Sequence, residues 1–341
     1  MNLIVLTKQF GNYTGATVST IEILKRISKK FDTVEVVTMK AEKVNIPNVK
    51  ILIISNCFDL IKILKLKKCE KKVYGYSDDH LGFLFSLVNI PYVHTYHGNW
   101  PDAKYLNVNM FLKSFVFIPM YALTIRNAKK VVSVSKYMDR NFVKKHSSDS
   151  VVIYNGIKKS NFGLISSSKD RENSYNKFIM VGNIDFRKYK EALPIFKILK
   201  EKDFKGCIDI YGDLIDKDII SKIKQYDFVN IMGQVERIDY SRYDALLCTS
   251  ISENLPVSIV EAILNGVYVL SFNIGGIDEV VNKENSGLLF KTDDYRKFAY
   301  TIIDFKYKRI PNFEVNRIKN KFNWDNSAIS YMKLFNQING E

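Results

Sequence analysis

Two glutamates eight residues apart bracket one apolar segment of this 341-residue chain. Glu253 stands in Ser252-Glu253-Asn254-Leu255, and Glu261 in Pro256-Val257-Ser258-Ile259-Val260-Glu261-Ala262-Ile263-Leu264. Proline suits the first helical turn, where a missing N–H costs nothing, and Gly266 suits the position after a helix, so the spacing predicts a helix over 256–265. That helix is apolar almost all round and is expected to be buried. An unpaired carboxylate in such a place costs several kcal/mol, so Glu261 needs hydrogen-bond donors or an exposed edge. Glu253, just ahead of the helix, suits the positive end of its dipole. The amides of Asn254, Leu255 and the first turn form a ready anion site.

A second such place is Gly11-Asn12-Tyr13-Thr14-Gly15-Ala16, between the first strand and the first helix, where backbone amides can approach a phosphate. The only Asp-x-Asp, Asp216 and Asp218, precedes a predicted helix and reads as its cap. Cys57, Cys69, Cys207 and Cys248 form no C-x-x-C pair and have no histidine cluster, so neither zinc spacing nor a disulfide framework is supported. No metal is required by the sequence.

These groups must be positioned by elements that alternate between short β-branched runs and helical spacings, the pattern of parallel sheets covered by helices. Strands are expected at 3–7, 34–39, 50–54, 73–76, 92–96, 131–135 and 151–154, then at 178–181, 208–211, 229–232, 245–249 and 267–272. Between the two series lies a polar stretch of linker composition. The resulting division is an N-terminal Rossmann-like domain over 1–160, a linker over 161–176 and a C-terminal Rossmann-like domain over 177–322. A last helix over 323–341 is expected to pack back on the first domain. Ligands of open α/β sheets bind beyond the carboxyl ends of the strands, so two such domains facing each other would hold a substrate between them.

Charge divides along the same line. Residues 1–160 hold 25 basic and 11 acidic side chains, against 26 and 25 in the remainder. The basic half suits phospholipid headgroups, a polyanionic substrate or nucleic acid. Nucleic acid is disfavoured, since no recognition module is present. No signal peptide and no run of about 18 apolar residues is read from the sequence, which places the protein in the cytoplasm.

The stretch from Ser252 to Ala262 resembles the Glu-x7-Glu signature of family 4 of the retaining glycosyltransferases, followed as there by Asn265-Gly266 and Gly275-Gly276-Ile277-Asp278-Glu279-Val280. The similarity extends to Val132-Ser133-Val134-Ser135, Asn155-Gly156, Ile210-Tyr211-Gly212-Asp213, Met232-Gly233 and Phe322-Asn323-Trp324. It implies a GT-B fold, with a nucleotide sugar held mostly by the second domain and an acceptor mostly by the first. By position, Glu261 would take the ribose hydroxyls, Glu253 would face the donor sugar, and the Asn254 and Leu255 amides would lie near sugar hydroxyls or phosphate.

Lys188 matches a family lysine that serves the pyrophosphate. Asn183 stands where an arginine is expected and Tyr189 where a glycine is, leaving Arg187 as the substitute cation. Gly15 and Ala16 stand where the family has paired glycines. His97, in Tyr96-His97-Gly98, resembles a histidine beside the donor sugar; His80 carries less of this signal. Catalytic roles thus fall to Glu253, His97 and Lys188, and donor binding to Gly15, Ala16, Asn183, Arg187, Lys188, Asn254, Leu255 and Glu261.

The implied activity is retaining transfer of a hexosyl or N-acetylhexosaminyl group from a nucleotide diphosphate sugar, UDP favoured. The acceptor would be a glycan or lipid-linked glycan of bacterial surface polysaccharide or glycoconjugate synthesis. The nucleotide sugar is a co-substrate and no cofactor or metal is implied. The alternative is a non-catalytic subunit of the same fold that binds glycan or a partner glycosyltransferase. The basic half, with the aromatic-rich run 110–125 and the lysines of 62–72, would allow peripheral attachment to an anionic membrane, unless 110–125 is an ordinary core helix.

Overall fold

The computed structural model describes residues 1–70, 72–98, 100–105, 107–157 and 176–340, and divides them into two compact units. The expected linker, 161–176, lies outside the described residues except for Asn176.

The first unit takes in Met1–Gly156 and Phe322–Glu341. In chain order its elements are β1 (Asn2–Leu6), β2 (Gln9–Phe10), α1 (Gly15–Ile27), β3 (Thr33–Thr38), β4 (Lys40–Ala41), β5 (Val49–Ile53), α2 (Cys57–Lys68), β6 (Val73–Ser77), α3 (Phe83–Leu87), β7 (Tyr92–Tyr96), α4 (Trp100–Ala103), α5 (Val108–Asn127), β8 (Lys130–Ser133), α6 (Lys136–Asn141) and β9 (Ser150–Val152). Seven strands form one parallel sheet in the order β5-β3-β1-β6-β7-β8-β9. The chain reverses its winding between β1 and β6, so the loops after these two strands open the crevice where such sheets bind ligands. The small β2–β4 pair is not among the expected strands.

Side chains alternate across each strand, and the core is correspondingly split. Leu3 and Val5 pack with α1, whereas Ile4 and Leu6 pack with Leu60 and Leu64 of α2 and Phe85 of α3. Helix starts follow local chemistry: Thr14 and Thr17 form a capping box on α1, and Asn56 and Asn107 accept backbone amides at the starts of α2 and α5.

The second unit, Ile157–Lys321, contains β10 (Lys177–Val181), α7 (Phe186–Tyr189), α8 (Ala192–Glu201), β11 (Cys207–Tyr211), α9 (Lys217–Ile223), β12 (Val229–Gly233), β13 (Ala245–Cys248), α10 (Val257–Leu264), β14 (Tyr268–Phe272), β15 (Gly287–Phe290), α11 (Tyr295–Ile303) and α12 (Asn312–Lys321). Its parallel sheet runs β12-β11-β10-β13-β14-β15, with the reversal between β10 and β13. β15 is an addition to the expected strands. Pro256 is extended and caps α10 instead of opening its first turn, while Gly266, at φ +75°, stops the helix.

One expectation is overturned. α5 is 20 residues long and contains an 18-residue window with a mean hydropathy of 1.5, enough by length and composition to cross a membrane. Lys113, Ser114 and Thr124 interrupt any unbroken apolar run but do not lower the average enough to matter. Nor is it an ordinary core helix, since only Ser114, Tyr121, Thr124 and Ile125 are buried.

The last helix, α13 (Trp324–Gly340), belongs to the first unit and lies against α1. Tyr331 shares a hydrogen bond of 2.8 Å with Thr95, and Phe335 meets Phe31 edge-on at 5.3 Å between ring centres. Phe335 is fully buried. Phe335→Ala is expected to cost about 3–5 kcal/mol and to lower the urea midpoint of the first unit's unfolding. An unchanged midpoint would mean that α13 contributes little to that core.

Candidate functional site

The second unit's site begins where β10 ends. Gly182 has φ +144°, and a Cβ there would come within 2.5 Å of the Lys188 side chain. Gly212, at the end of β11, is equally constrained, because a Cβ would lie 2.2 Å from the Gly182 carbonyl. Two glycines thus let neighbouring strand ends and the Lys188 stem share one small space. Asp185 then caps α7, accepting the Lys188 amide at 2.9 Å, and this fixes the direction in which Arg187 and Lys188 leave the backbone.

Both cations turn to the loop after β13. Lys188 Nζ lies 2.9 Å from Glu253 Oε1, and an Arg187 guanidinium nitrogen donates to the same oxygen at 3.1 Å and to the Ser252 carbonyl at 2.8 Å. Glu253 is only 9% exposed. Burial pushes its carboxyl up, but the nearby Lys188 and Arg187 charges, with hydrogen bonds from Lys188 and Ser250, hold it below the ordinary carboxylate range. The loop itself is seated on the glycine pair that follows β14. Gly275 has φ +57° and leaves no room for a side chain, since a Cβ would fall 1.6 Å from the Glu253 carbonyl. Next to it the Gly276 amide donates to the Asn254 carbonyl at 2.9 Å.

Asn254 and Leu255 are half-buried ahead of α10. Glu261 lies one turn into that helix, half-buried, and accepts from the Tyr240 hydroxyl at 3.3 Å. Burial and the Glu261 carboxylate together raise the Tyr240 hydroxyl well above its usual range, so it stays a donor. Asn183 is exposed on the turn after β10. Tyr189 is buried and donates to the Gly182 carbonyl at 3.1 Å. Asp216 caps α9, accepting the Asp218 and Ile219 amides, and no group of three or more metal-ligating side chains occurs among the described residues.

In the first unit, His97 and Ala16 line one cavity of about 300 Å³ at the β1–β6 crevice. Gly15 opens α1 beside it, and a Cβ there would meet nothing within 4 Å. Burial lowers His97 to about 4 and His80, which lines the same cavity, also to about 4, so both rings are neutral at physiological pH. Among the lining residues not singled out from sequence are Asp78, Asp79 and Trp100. Burial, together with the Asp79 charge, raises the Asp78 carboxyl, and burial likewise raises Asp79. Thr20 donates to Asp78 at 2.6 Å, and the Leu81 and Lys8 amides donate to Asp79. Their position directly after β6, one of the two strands flanking the reversal, is the signal that would have found them.

Comparison with known proteins bears on the fold. The family model "Glycosyl transferases group 1" matches residues 164–324, and "Glycosyltransferase Family 4" matches residues 73–160. An uncharacterised glycosyltransferase of Methanocaldococcus jannaschii is 24% identical over 284 residues, covering 78% of this chain and 74% of that protein. Protein CapJ of Staphylococcus aureus is 24% identical over 292 residues, covering 76% and 71%. Sucrose-phosphate synthase from Thermosynechococcus elongatus is similar in structure at a TM-score of 0.79 and 16% identity over the whole of both chains. HepE of Anabaena, solved in complex with UDP and glucose, reaches 0.72 and 18%, covering 98% and 99%. The fold is therefore GT-B, in the α/β class.

The depressed Glu253 carboxyl has a pH signature. A group whose folded value lies below its unfolded value of about 4.5 stabilises the fold fully above that pH, and this stabilisation is lost as pH falls through the folded value. The thermal midpoint of the native chain should exceed that of Glu253→Gln by a constant amount down to about pH 5, and the gap should close below it. A gap that widens on acidification would contradict the ion-paired state of Glu253.

Proposed function

We propose that this chain, a glycosyltransferase of the GT-B fold, moves a hexosyl or N-acetylhexosaminyl group with retention of configuration from a UDP-sugar to a hydroxyl of a glycan or lipid-linked glycan in bacterial surface polysaccharide or glycoconjugate synthesis. We assign it to family 4 and to the cytoplasm, at the inner face of the membrane. The observation that carries this reading is the pairing of Lys188 and Arg187 on the buried Glu253 carboxylate. A bound diphosphate offers these cations more negative charge than one carboxylate does. In water-poor surroundings Coulomb attraction is strong, so Lys188 and Arg187 would turn to the diphosphate and leave Glu253 to accept from the sugar.

The C1–O bond to the diphosphate then breaks, with its electron pair going to the departing oxygen, whose charge the two cations and the amides of Asn254 and Leu255 stabilise. The acceptor oxygen bonds to C1 on the face the diphosphate leaves, and its proton passes to the diphosphate. Glu261 can accept both ribose hydroxyls. In the first unit, His97, neutral, can donate to a sugar hydroxyl, and the amides at Gly15 and Ala16 can meet a phosphate. In the first-unit cavity, Asp78 and Asp79 suit hydroxyl groups and the Trp100 indole suits the face of a sugar ring, which favours a glycan acceptor. Arg187 beside Lys188 supplies the second cation that Asn183 lacks, and this favours turnover over a non-catalytic binding subunit. No metal and no cofactor enter the scheme; the nucleotide sugar is a co-substrate.

The direct experiment incubates the pure protein with a panel of nucleotide sugars, with and without lipid-linked acceptors, and follows release of the nucleoside diphosphate. Glu261→Ala should weaken binding of the free nucleoside diphosphate by about tenfold or more, as expected for losing hydrogen bonds to a charged group. Glu253→Gln should mainly lower kcat. Calorimetry separates the two, and unchanged affinity in Glu261→Ala would sink the ribose assignment. Turnover should also persist in excess EDTA. Complete loss, restored by manganese, would replace the metal-free scheme.

A further inference from the structure

Glu314, Arg317 and Lys321 follow one another at three- and four-residue steps, and so lie along one side of α12. The transfer reaction gives none of them a task. Glu314 is fully buried, a rare place for a carboxylate unless it is paired. The Arg317 guanidinium donates to both of its oxygens at 2.7 Å, in the planar fork that suits a carboxylate, and the Ser286 hydroxyl donates at 3.0 Å. Burial pushes the Glu314 carboxyl up, but the Arg317 hydrogen bonds and charge, with the Ser286 hydrogen bond and the Lys321 charge, hold it below the ordinary range. Val315 and Ile318, on the neighbouring stripe, are buried, and α12 packs against α10.

Both cations also bind backbone. Arg317 Nη2 donates to the Val280 carbonyl at 2.9 Å, and Lys321 Nζ donates to the Glu279 carbonyl at 2.6 Å. These two carbonyls close the single helical turn Ile277–Glu279 that lies between β14 and β15. Carbonyls at the end of a turn find no partner within it, and a cation is a stronger donor to them than a neutral group. The same turn starts from the glycine pair that seats the Glu253 loop. The Gly276 amide donates to the Asn254 carbonyl, and Gly275 lies so close to the Glu253 carbonyl that a shift of the turn passes to Glu253.

We propose that Arg317 and Lys321 are positioning residues for the donor site. By holding the Glu279 and Val280 carbonyls they fix the turn on which Glu253 and Asn254 rest, and so keep the carboxylate and the neighbouring amides aligned on the transferred sugar and its diphosphate. The effect on rate rests on the transfer reading above, whereas the hold on the turn is a property of the fold.

The deciding variant is Lys321→Met, which keeps the half-buried stem, removes the donor and leaves the Glu314–Arg317 pair in place. Truncating Arg317 would instead strand a buried carboxylate and endanger the fold. In hydrogen exchange read residue by residue, the Gly276 and Val280 amides of Lys321→Met should exchange about tenfold faster, while those of β10 and β13 keep their protection. Its kcat should fall about tenfold, as for a small misplacement of a reacting group, with the thermal midpoint close to native. Lys321→Arg, which restores a donor, should recover both the protection and the rate. Native exchange at Gly276 in Lys321→Met would overturn the proposal, as would a native kcat. So would a lowered midpoint with faster exchange throughout the second unit, because α12 would then serve the fold alone. Exchange needs no substrate: a native chain that consumes no nucleotide sugar fails the transfer reading, while faster exchange confined to the turn still upholds the hold.

Discussion

The Glu253 carboxylate stays ionised in a nearly closed pocket because two cations reach it, and most of the second unit's architecture serves that meeting. Burial alone would push its proton affinity up; the net depression shows that the Lys188 and Arg187 charges win. Each cation arrives from a turn only a few residues after β10, so the turn must be tight and the neighbouring strand end must give way. Gly182 and Gly212 satisfy those two conditions, and Gly275 lets the carboxylate's own backbone settle against the following loop. A side chain at Gly212 or Gly275 would meet backbone that has to shift, and one at Gly182 would press on the Lys188 stem itself.

The two units handle buried charge in opposite ways at equivalent places in their sheets. At the β10–β13 reversal a carboxylate is neutralised by cations and lies low on the pH scale. At the β1–β6 reversal, Asp78 and Asp79 are adjacent, are served chiefly by hydroxyl and amide donors, and are raised. The first arrangement keeps a reserve of positive charge that an anion can recruit. The second gives a polar wall beside two neutral histidines, an environment suited to hydroxyl groups.

How much of this was legible in the sequence depended on whether the information is local. The sheet strands announced themselves by β-branched runs between turn residues, and Gly266 and the capping residues fixed helix ends within a residue or two. β15 begins at the glycine of Asn285-Ser286-Gly287 and, as Gly-Leu-Leu-Phe, has no β-branched residue to mark it, and the two-residue β2 and β4 exist only through each other. α5 was ambiguous for a different reason. Leu112, Phe115 and Val116 have the same composition whether they face a core or a solvent-exposed surface, and only the packing of Tyr121, Thr124 and Ile125 decides which side turns inward.

The departures around α7 show where pattern ends and geometry begins. An asparagine in place of an expected arginine reads as a lost charge, and a tyrosine in place of a glycine reads as an obstruction. In the folded unit, Asn183 projects from the turn, and Arg187, one helical turn on, directs its guanidinium to Glu253 and Ser252. Tyr189 does not obstruct, because its ring is buried below the turn and its hydroxyl donates to the Gly182 carbonyl. The hydrogen bond that a flexible glycine could not make thus ties down the turn from which Lys188 projects. Both substitutions leave the charge and the rigidity near Glu253 intact while moving each to a different residue, which no position-by-position pattern can register.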